Sequence, residues 1–374
     1  MASIEFSDEQ SLLLETAASF CRDRSPIERV RAGLGDENGC DAAVWQEMVD
    51  LGWLGIAAPL EHGGSGLGLA GVVPVVECMG RHLMGSPYVA TIQAIEALLG
   101  SASDEQLAQW LPTILAGAPA TVALMEPDGS WDVRAAAASG VSTGNAIRLR
   151  GTKTFVLDAA AAELIVTSID LDGETRLVAL RRDQLPDGAL NRETVIDETR
   201  RSYGLVLDGI RVPRSQILPG SDFERIERAA LLLVCAEIAG GLCGVLHTIV
   251  GYLTTRRQFD RLIGSYQALK HPTAEILLAA ERSKSHLYHA ATTIGRGGRE
   301  AEVALRMAKA QGSEAFAWAG DRAVQFHGGF GFTYECDAQL FLRRALWCQY
   351  QLGDERYHRR KLAPLLLAAT DTEH

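Results

Sequence analysis

The chain has 374 residues, 47% of them apolar and 22% charged, and a formal net charge of −11. That length suits two or three packed domains, and the composition is that of a soluble globular protein. The acidic balance argues against a general nucleic-acid surface, which is built from clustered Lys and Arg.

Along the chain, the N-terminal stretch MASIEFSDEQ is acidic and polar, unlike a signal peptide, and points to a cytoplasmic protein. Ser7 with Gln10 reads as a capping box ahead of a first helix. A glycine-rich loop, LGWLGIAAPLEHGGSGLGLAG, follows. Its Gly66, Gly68 and Gly71 spell GxGxxG, but a dinucleotide turn needs a strand before it, and LEHGGS is a loop. Ser103 with Gln106 predicts another helix start, and Gly117 its stop.

From about Thr121 to Val212 the apolar residues alternate or come in short runs, as in strands. Gly144-Asn145, Asp172-Gly173 and Asp208-Gly209 carry hairpin-turn chemistry, so a small antiparallel sheet or barrel is expected. From about Asp222 long helical spacing returns, with apolar faces suited to a bundle. The fold class is therefore α+β: an N-terminal helical domain over 1–118, a central antiparallel β domain over 119–218, and a C-terminal four-helix bundle over 219–374. Seven cysteines, odd in number and without CxxC, read as reduced thiols and not as a disulfide or zinc framework. The short basic cluster of Arg356, Arg359, Arg360 and Lys361 reads as a solvated helix face or a site for one small anion.

Within the last third, Glu237 is the one charged residue of AALLLVCAEIAGGLCGVL. A buried carboxylate is paired, neutralised or used, and burial raises its pKa toward the working range of a general base. Glu237 is thus the candidate base. A structural ion pair with an Arg or Lys from elsewhere, or a helix at a subunit interface with the Glu facing water, stays open. A membrane span does not suit a run with a central acid and three glycines.

Three stretches, taken together and in order, resemble the acyl-CoA dehydrogenase family. They are LGWLGIAAPLEHGGSGLGLAGVVPVVECMGRHL, then MEPDGSWDV with GTKTFVLDAAAAELIVTS, and TRRQFDRLIGSYQALKH with QFHGGFGFTYECDAQLFLRRA. The resemblance implies the same domain order, FAD as cofactor, and α,β-dehydrogenation of an acyl-CoA thioester. It implies Arg256 on the FAD diphosphate, Phe259 and Gln267 along the adenosine half, and Gln325, Gly328 and Gly329 from a neighbouring subunit. Phe155 and Val156 would face the flavin. An electron-transfer flavoprotein or similar acceptor, and a second copy or a homologous subunit, are the implied partners.

The sequence departs from the family at four places. Leu352 and Ala230 stand at the two family positions for the base, Leu157 replaces a hydroxyl residue near the flavin, and the TEPxAGSD run reads MEPDGSWD. Two readings follow: an enzyme with Glu237 as a relocated base, or a partner subunit that completes a flavin site on a homologous chain.

Overall fold

The structure is a computed structural model that describes residues 8–37 and 39–367. The expected capping box at Ser7 lies outside the described residues. In chain order the helices and strands are α1 (Asp8–Arg24), α2 (Ile27–Ala32), α3 (Ala42–Asp50), α4 (Gly68–Arg81), α5 (Tyr88–Ser101), α6 (Asp104–Leu115), β1 (Ala120–Ala123), β2 (Ser139–Thr143), β3 (Ala146–Arg150), β4 (Thr152–Leu157), β5 (Leu164–Leu171), β6 (Glu174–Arg181), β7 (Leu190–Arg192), β8 (Ser202–Val206), β9 (Arg211–Pro213), α7 (Phe223–Thr255), β10 (Arg257–Gln258), β11 (Arg261–Leu262), α8 (Gln267–Ile294), α9 (Gly298–Phe326), α10 (Asp337–Tyr350) and α11 (Glu355–Leu367). The chain divides into two compact units. One holds the described residues up to Ala32, Val73–Met84 and everything from Leu231; the other holds Gly33–Val72 and Gly85–Ala230. The N-terminal helices are thus shared between the units.

Local signals set many of these boundaries. Ser103 Oγ accepts from the Gln106 N–H and the Gln106 side chain accepts from Ser103 N–H, so α6 starts on a full capping box. α4 begins at Gly68 and is preceded by a short 3-10 turn, Leu60–His62, so the GxGxxG spelling opens no βα unit.

In the second unit a six-stranded sheet runs β1-β5-β2-β3-β9, with β6 on β5, and a three-stranded antiparallel sheet runs β4-β8-β7. Ile147, Leu149, Ile165, Val178 and Leu205 are among its buried core. Asp172 and Gly173 both have positive φ, 57° and 84°, and close the β5–β6 hairpin as expected. The sheet is mixed, however, because β5 pairs parallel with both β1 and β2. Turn residues report only neighbouring hairpins; parallel pairs come from crossovers that leave no such mark. Asp208-Gly209 is no hairpin either. β8 joins one sheet and β9 the other, only Gly209 has positive φ, and Asp208 Oδ1 instead accepts from Gly151 N–H.

In the first unit α9 packs against α8, α10 and α11. α7 lies against it through a glycine: a Cβ on Gly241 would come within 2.3 Å of the Phe316 ring. The α4 side of α7 is tighter still, since a Cβ on Gly240 would lie 1.9 Å from the Glu77 carbonyl oxygen. The glycines of the apolar run are therefore backbone contacts between helices. α7 is the one described helix long and apolar enough to cross a membrane, and 83% of its most apolar window is buried inside protein. It is a core helix.

Candidate functional site

One end of the first unit gathers most of the expected cofactor residues. α7 ends at Thr255, and Arg256 follows as its backbone N–H donates to Tyr252 O. The Tyr252 ring stacks on His327 at 4.1 Å between centroids. His327 sits between Gln325 and Gly328, so the ends of α7 and α9 meet and a single chain carries Arg256, Gln325, Gly328 and Gly329 side by side. β10 and β11 form a hairpin whose two turn residues, Phe259 and Asp260, have φ of 52° and 61°. That turn holds Phe259 out, 85% exposed. Gln267 opens α8 just beyond the hairpin. The side chains of Arg256, Gln267 and Gln325 make no hydrogen bond or ion pair to another described residue. A Cβ on Gly328 or Gly329 would meet nothing within 4 Å, so the backbone there is open.

Phe155 and Val156 belong to the second unit, on β4. The register to β8 shifts between Lys153 and Val156, and Phe155 at the bulge has φ of 52°. Glu193 holds that bulge: its carboxylate accepts from Phe155 N–H at 3.1 Å, Thr154 Oγ1 at 2.5 Å and Ser202 Oγ at 2.7 Å. Lys153 beside it is fully buried, bonded to the Glu126 carboxylate and to Ser168 Oγ. Burial pulls the Lys153 pKa down, against the pull of Glu126. Glu126 also accepts from Ala137 and Ala138 N–H, so this buried pair fixes the loop that begins with MEPDGSWD against β4. Sequence reading missed Lys153, Glu126 and Glu193. An isolated Lys in an alternating strand, TKTFVL, was the available signal for the first.

Glu237 lies on α7 and is 4% exposed. Its Oε1 is 3.7 Å from Nη1 of Arg344 on α10, a guanidinium with no exposure at all. Of the alternatives the sequence leaves open, the buried arrangement has the geometry of the ion pair. One turn from Gly80 and Arg81 on α4, Glu77 is the other buried acid of this region; it accepts from Tyr288 Oη at 2.5 Å and pairs with Lys284 at 3.2 Å.

The turn after α10 carries Leu352, with φ of 57°, and Gly353, with φ of 108°. Lys309 of α9 is fully buried beneath it and donates to Gln349 O, Gly353 O and Ser313 Oγ at 2.8–3.0 Å. Through Gln349 O it caps the C-terminal end of α10, where a cation is favoured, and through Gly353 O it holds the turn that follows. Burial lowers the Lys309 pKa to about 8. His358 of α11 is buried alongside, with Arg306 Nη1 3.2 Å from its Nδ1. Arginine can only donate, so Nδ1 is the acceptor and the ring is neutral.

Comparison with known proteins matches residues 7–118 to the family model "Acyl-CoA dehydrogenase, N-terminal domain" and residues 225–367 to "Acyl-CoA dehydrogenase, C-terminal domain". The chain belongs to the acyl-CoA dehydrogenase family. It is 28% identical to acyl-CoA dehydrogenase IpdE2 of Mycolicibacterium smegmatis over 95% of this chain and 98% of that one. Among solved structures it resembles the Tcur3481-Tcur3483 steroid ACAD, with a TM-score of 0.86 and 25% identity over 98% of this chain and 99% of the other. The ChsE4-ChsE5 complex from Mycobacterium tuberculosis shares the fold, with a TM-score of 0.88 at 23% identity over the same shares.

Acyl-CoA dehydrogenases are flavin-dependent oxidoreductases, and their cofactor is FAD. The diphosphate end of this acyl-CoA dehydrogenase fits that group: a planar guanidinium and two amides are uncommitted, beside glycines with open space over them. On the ring side the expected hydroxyl residue is replaced by Leu157. Leu157 offers no side-chain donor, and its carbonyl already accepts from Thr121 Oγ1 at 2.7 Å.

Proposed function

We propose that this chain is one subunit of a heteromeric acyl-CoA dehydrogenase that introduces an α,β double bond into an acyl-CoA thioester. Its contribution is the diphosphate half of a flavin site, with the carboxylate base carried by a homologous chain. The observation that carries this reading is Glu237. A base has to reach a substrate α proton, and this carboxylate is buried against an equally buried guanidinium. The two family base positions support it, since Leu352 and Ala230 cannot take up a proton.

FAD, when bound, supplies the hydride acceptor. Arg256 would bind its diphosphate bidentately, Phe259 and Gln267 would line the adenosine, and Gln325 with the open backbone at Gly328 and Gly329 would complete that cradle. Phe155, 41% exposed on the bulge that Glu193 holds, would form the ring-facing wall; Val156 next to it is fully buried in the sheet core, so its side chain takes no part. The likeness to a two-name steroid ACAD suggests a bulky, steroid-derived acyl group. An electron-transfer flavoprotein or similar carrier would take the electrons onward.

Expressed alone, the chain is expected to be colourless after gel filtration. Co-expressed with its homologous partner it should elute as a yellow complex, and Arg256→Gln should reduce the flavin content of that complex. Flavin bands retained by the chain alone, and bleached anaerobically by an acyl-CoA, would instead establish the second reading, a self-sufficient enzyme with Glu237 as base.

A further inference from the structure

A cavity of about 720 Å³ opens in the first unit among α1, the end of α4, the C-terminal half of α7 and the segment from His327 to Phe341. That volume is in the range of small-molecule sites and far exceeds a single ion. Three side chains capable of binding an anion line it from two helices: Arg81 and His82 at the end of α4, and His247 within α7. None of the three side chains has a hydrogen bond or ion pair to another described residue.

The acids on the same walls do not cancel them. Asp337 is held by Arg31 at 2.7 Å, and Arg22 on α1 is already engaged with Asp23. Glu335 is the remaining carboxylate of the lining. The local field is positive: after burial itself, Arg81, Arg22 and His247 are what lower the pKa of His82. In a chain of net charge −11 a cluster of this sign is not background.

The rest of the lining mixes apolar and aromatic residues with the hydroxyls of Ser25, Thr248 and Thr255 and the ring of His327. Gly251 leaves open space on α7, whereas Gly244 is packed under the Arg81 carbonyl and the Phe341 ring, and Phe330 of the lining is 47% exposed. One structural role competes for Arg81, since a cation at a helix C-terminus complements the dipole. That role explains neither His247, in the middle of α7, nor the cavity between them.

We propose that this cavity binds an organic phosphate carrying a flat ring, its phosphate against Arg81, His82 and His247 and its ring toward Phe330. Charge-assisted bonds from an uncommitted guanidinium hold the anion, and the aromatic rim selects against inorganic phosphate. The cavity reaches the flavin cradle at one end, through Tyr252, Thr255 and His327, while its anion-binding end lies apart from the flavin diphosphate: His247 is nine residues before Arg256, about 13 Å along the helix.

The test uses ADP as probe, titrated calorimetrically into the full chain in its flavin-loaded assembly. ADP should bind the wild type, and bind at least about tenfold more weakly to Arg81→Gln and to His247→Gln. Flavin content and thermal midpoint should be unchanged in both variants, because both residues are exposed and neither side chain makes a hydrogen bond or ion pair to another described residue. Rising salt should weaken the wild-type affinity. The proposal is overturned if ADP gives no heat with the wild type or binds both variants as tightly. It is overturned equally if Arg256→Gln abolishes binding while Arg81→Gln does not, since ADP would then be reading the flavin cradle. None of these outcomes bears on which chain carries the base.

Discussion

Replacing Arg344 with methionine is expected to cost about 3–5 kcal/mol of stability, because it leaves the Glu237 carboxylate buried without its counter-charge. Both partners sit inside the bundle, Glu237 4% exposed and Arg344 not exposed at all. Water cannot take over the interaction, as it does for pairs on a surface. The companion experiment is the double replacement Glu237→Leu with Arg344→Met. Taking both charges out restores an apolar contact between α7 and α10, and buried pairs exchanged in this way are often neutral or stabilising. Denaturant unfolding of the two variants should therefore give one strongly destabilised protein and one close to wild type. A small cost for the single variant, below about 1 kcal/mol, would mean that the pair is not what holds the acid in place.

Acid is the second large effect, and His358 is its source. Burial, with Lys309 and Arg306 close by, lowers the pKa of this ring to about 2. In the unfolded chain it titrates near 6.5. Below pH 6.5 the unfolded state therefore binds a proton that the folded state refuses, and stability falls as pH drops from 6.5 toward 2. At pH 4.5 the loss from this residue alone reaches about 3 kcal/mol. His358→Gln removes the titration, so its stability should depend less steeply on pH across that window than the wild type's. Parallel slopes for the two proteins between pH 6.5 and 4.5 would contradict the assignment. Lys309 acts in the same sense at the alkaline end. Its folded pKa of about 8 lies below the ordinary 10.5, so its contribution rises with pH between those values.

Much of this was readable from the sequence, and the exceptions share a cause. The helix–sheet–helix order, the α6 capping box and the Asp172-Gly173 hairpin follow from patterns a few residues long. The parallel pairing of β5 with β1 and β2 and the failure of Asp208-Gly209 to form a hairpin do not, because each depends on where a distant strand lies. The same holds at the site. Arg256, Phe259, Gln325 and the glycine pair announce themselves as motifs, but the Tyr252–His327 stack that joins their two segments is a contact across 75 residues. Glu237 is conspicuous in an apolar run, yet its meaning rests on Arg344, which lies 107 residues later in an unremarkable LRRA. Lys153 and Glu126 went unread for the same reason: a charge in a strand or loop looks solvated until its partner is known.

The most direct test of the central claim is anaerobic acyl-CoA reduction of the flavin-loaded assembly carrying Glu237→Gln, repeated with the Glu237→Leu/Arg344→Met pair so that loss of folding and loss of a base can be told apart. If the base resides on the homologous chain, both variant assemblies keep their flavin and bleach as the wild type does. Retained flavin that no longer bleaches in either variant would place the base on Glu237, and the chain would be an acyl-CoA dehydrogenase in its own right.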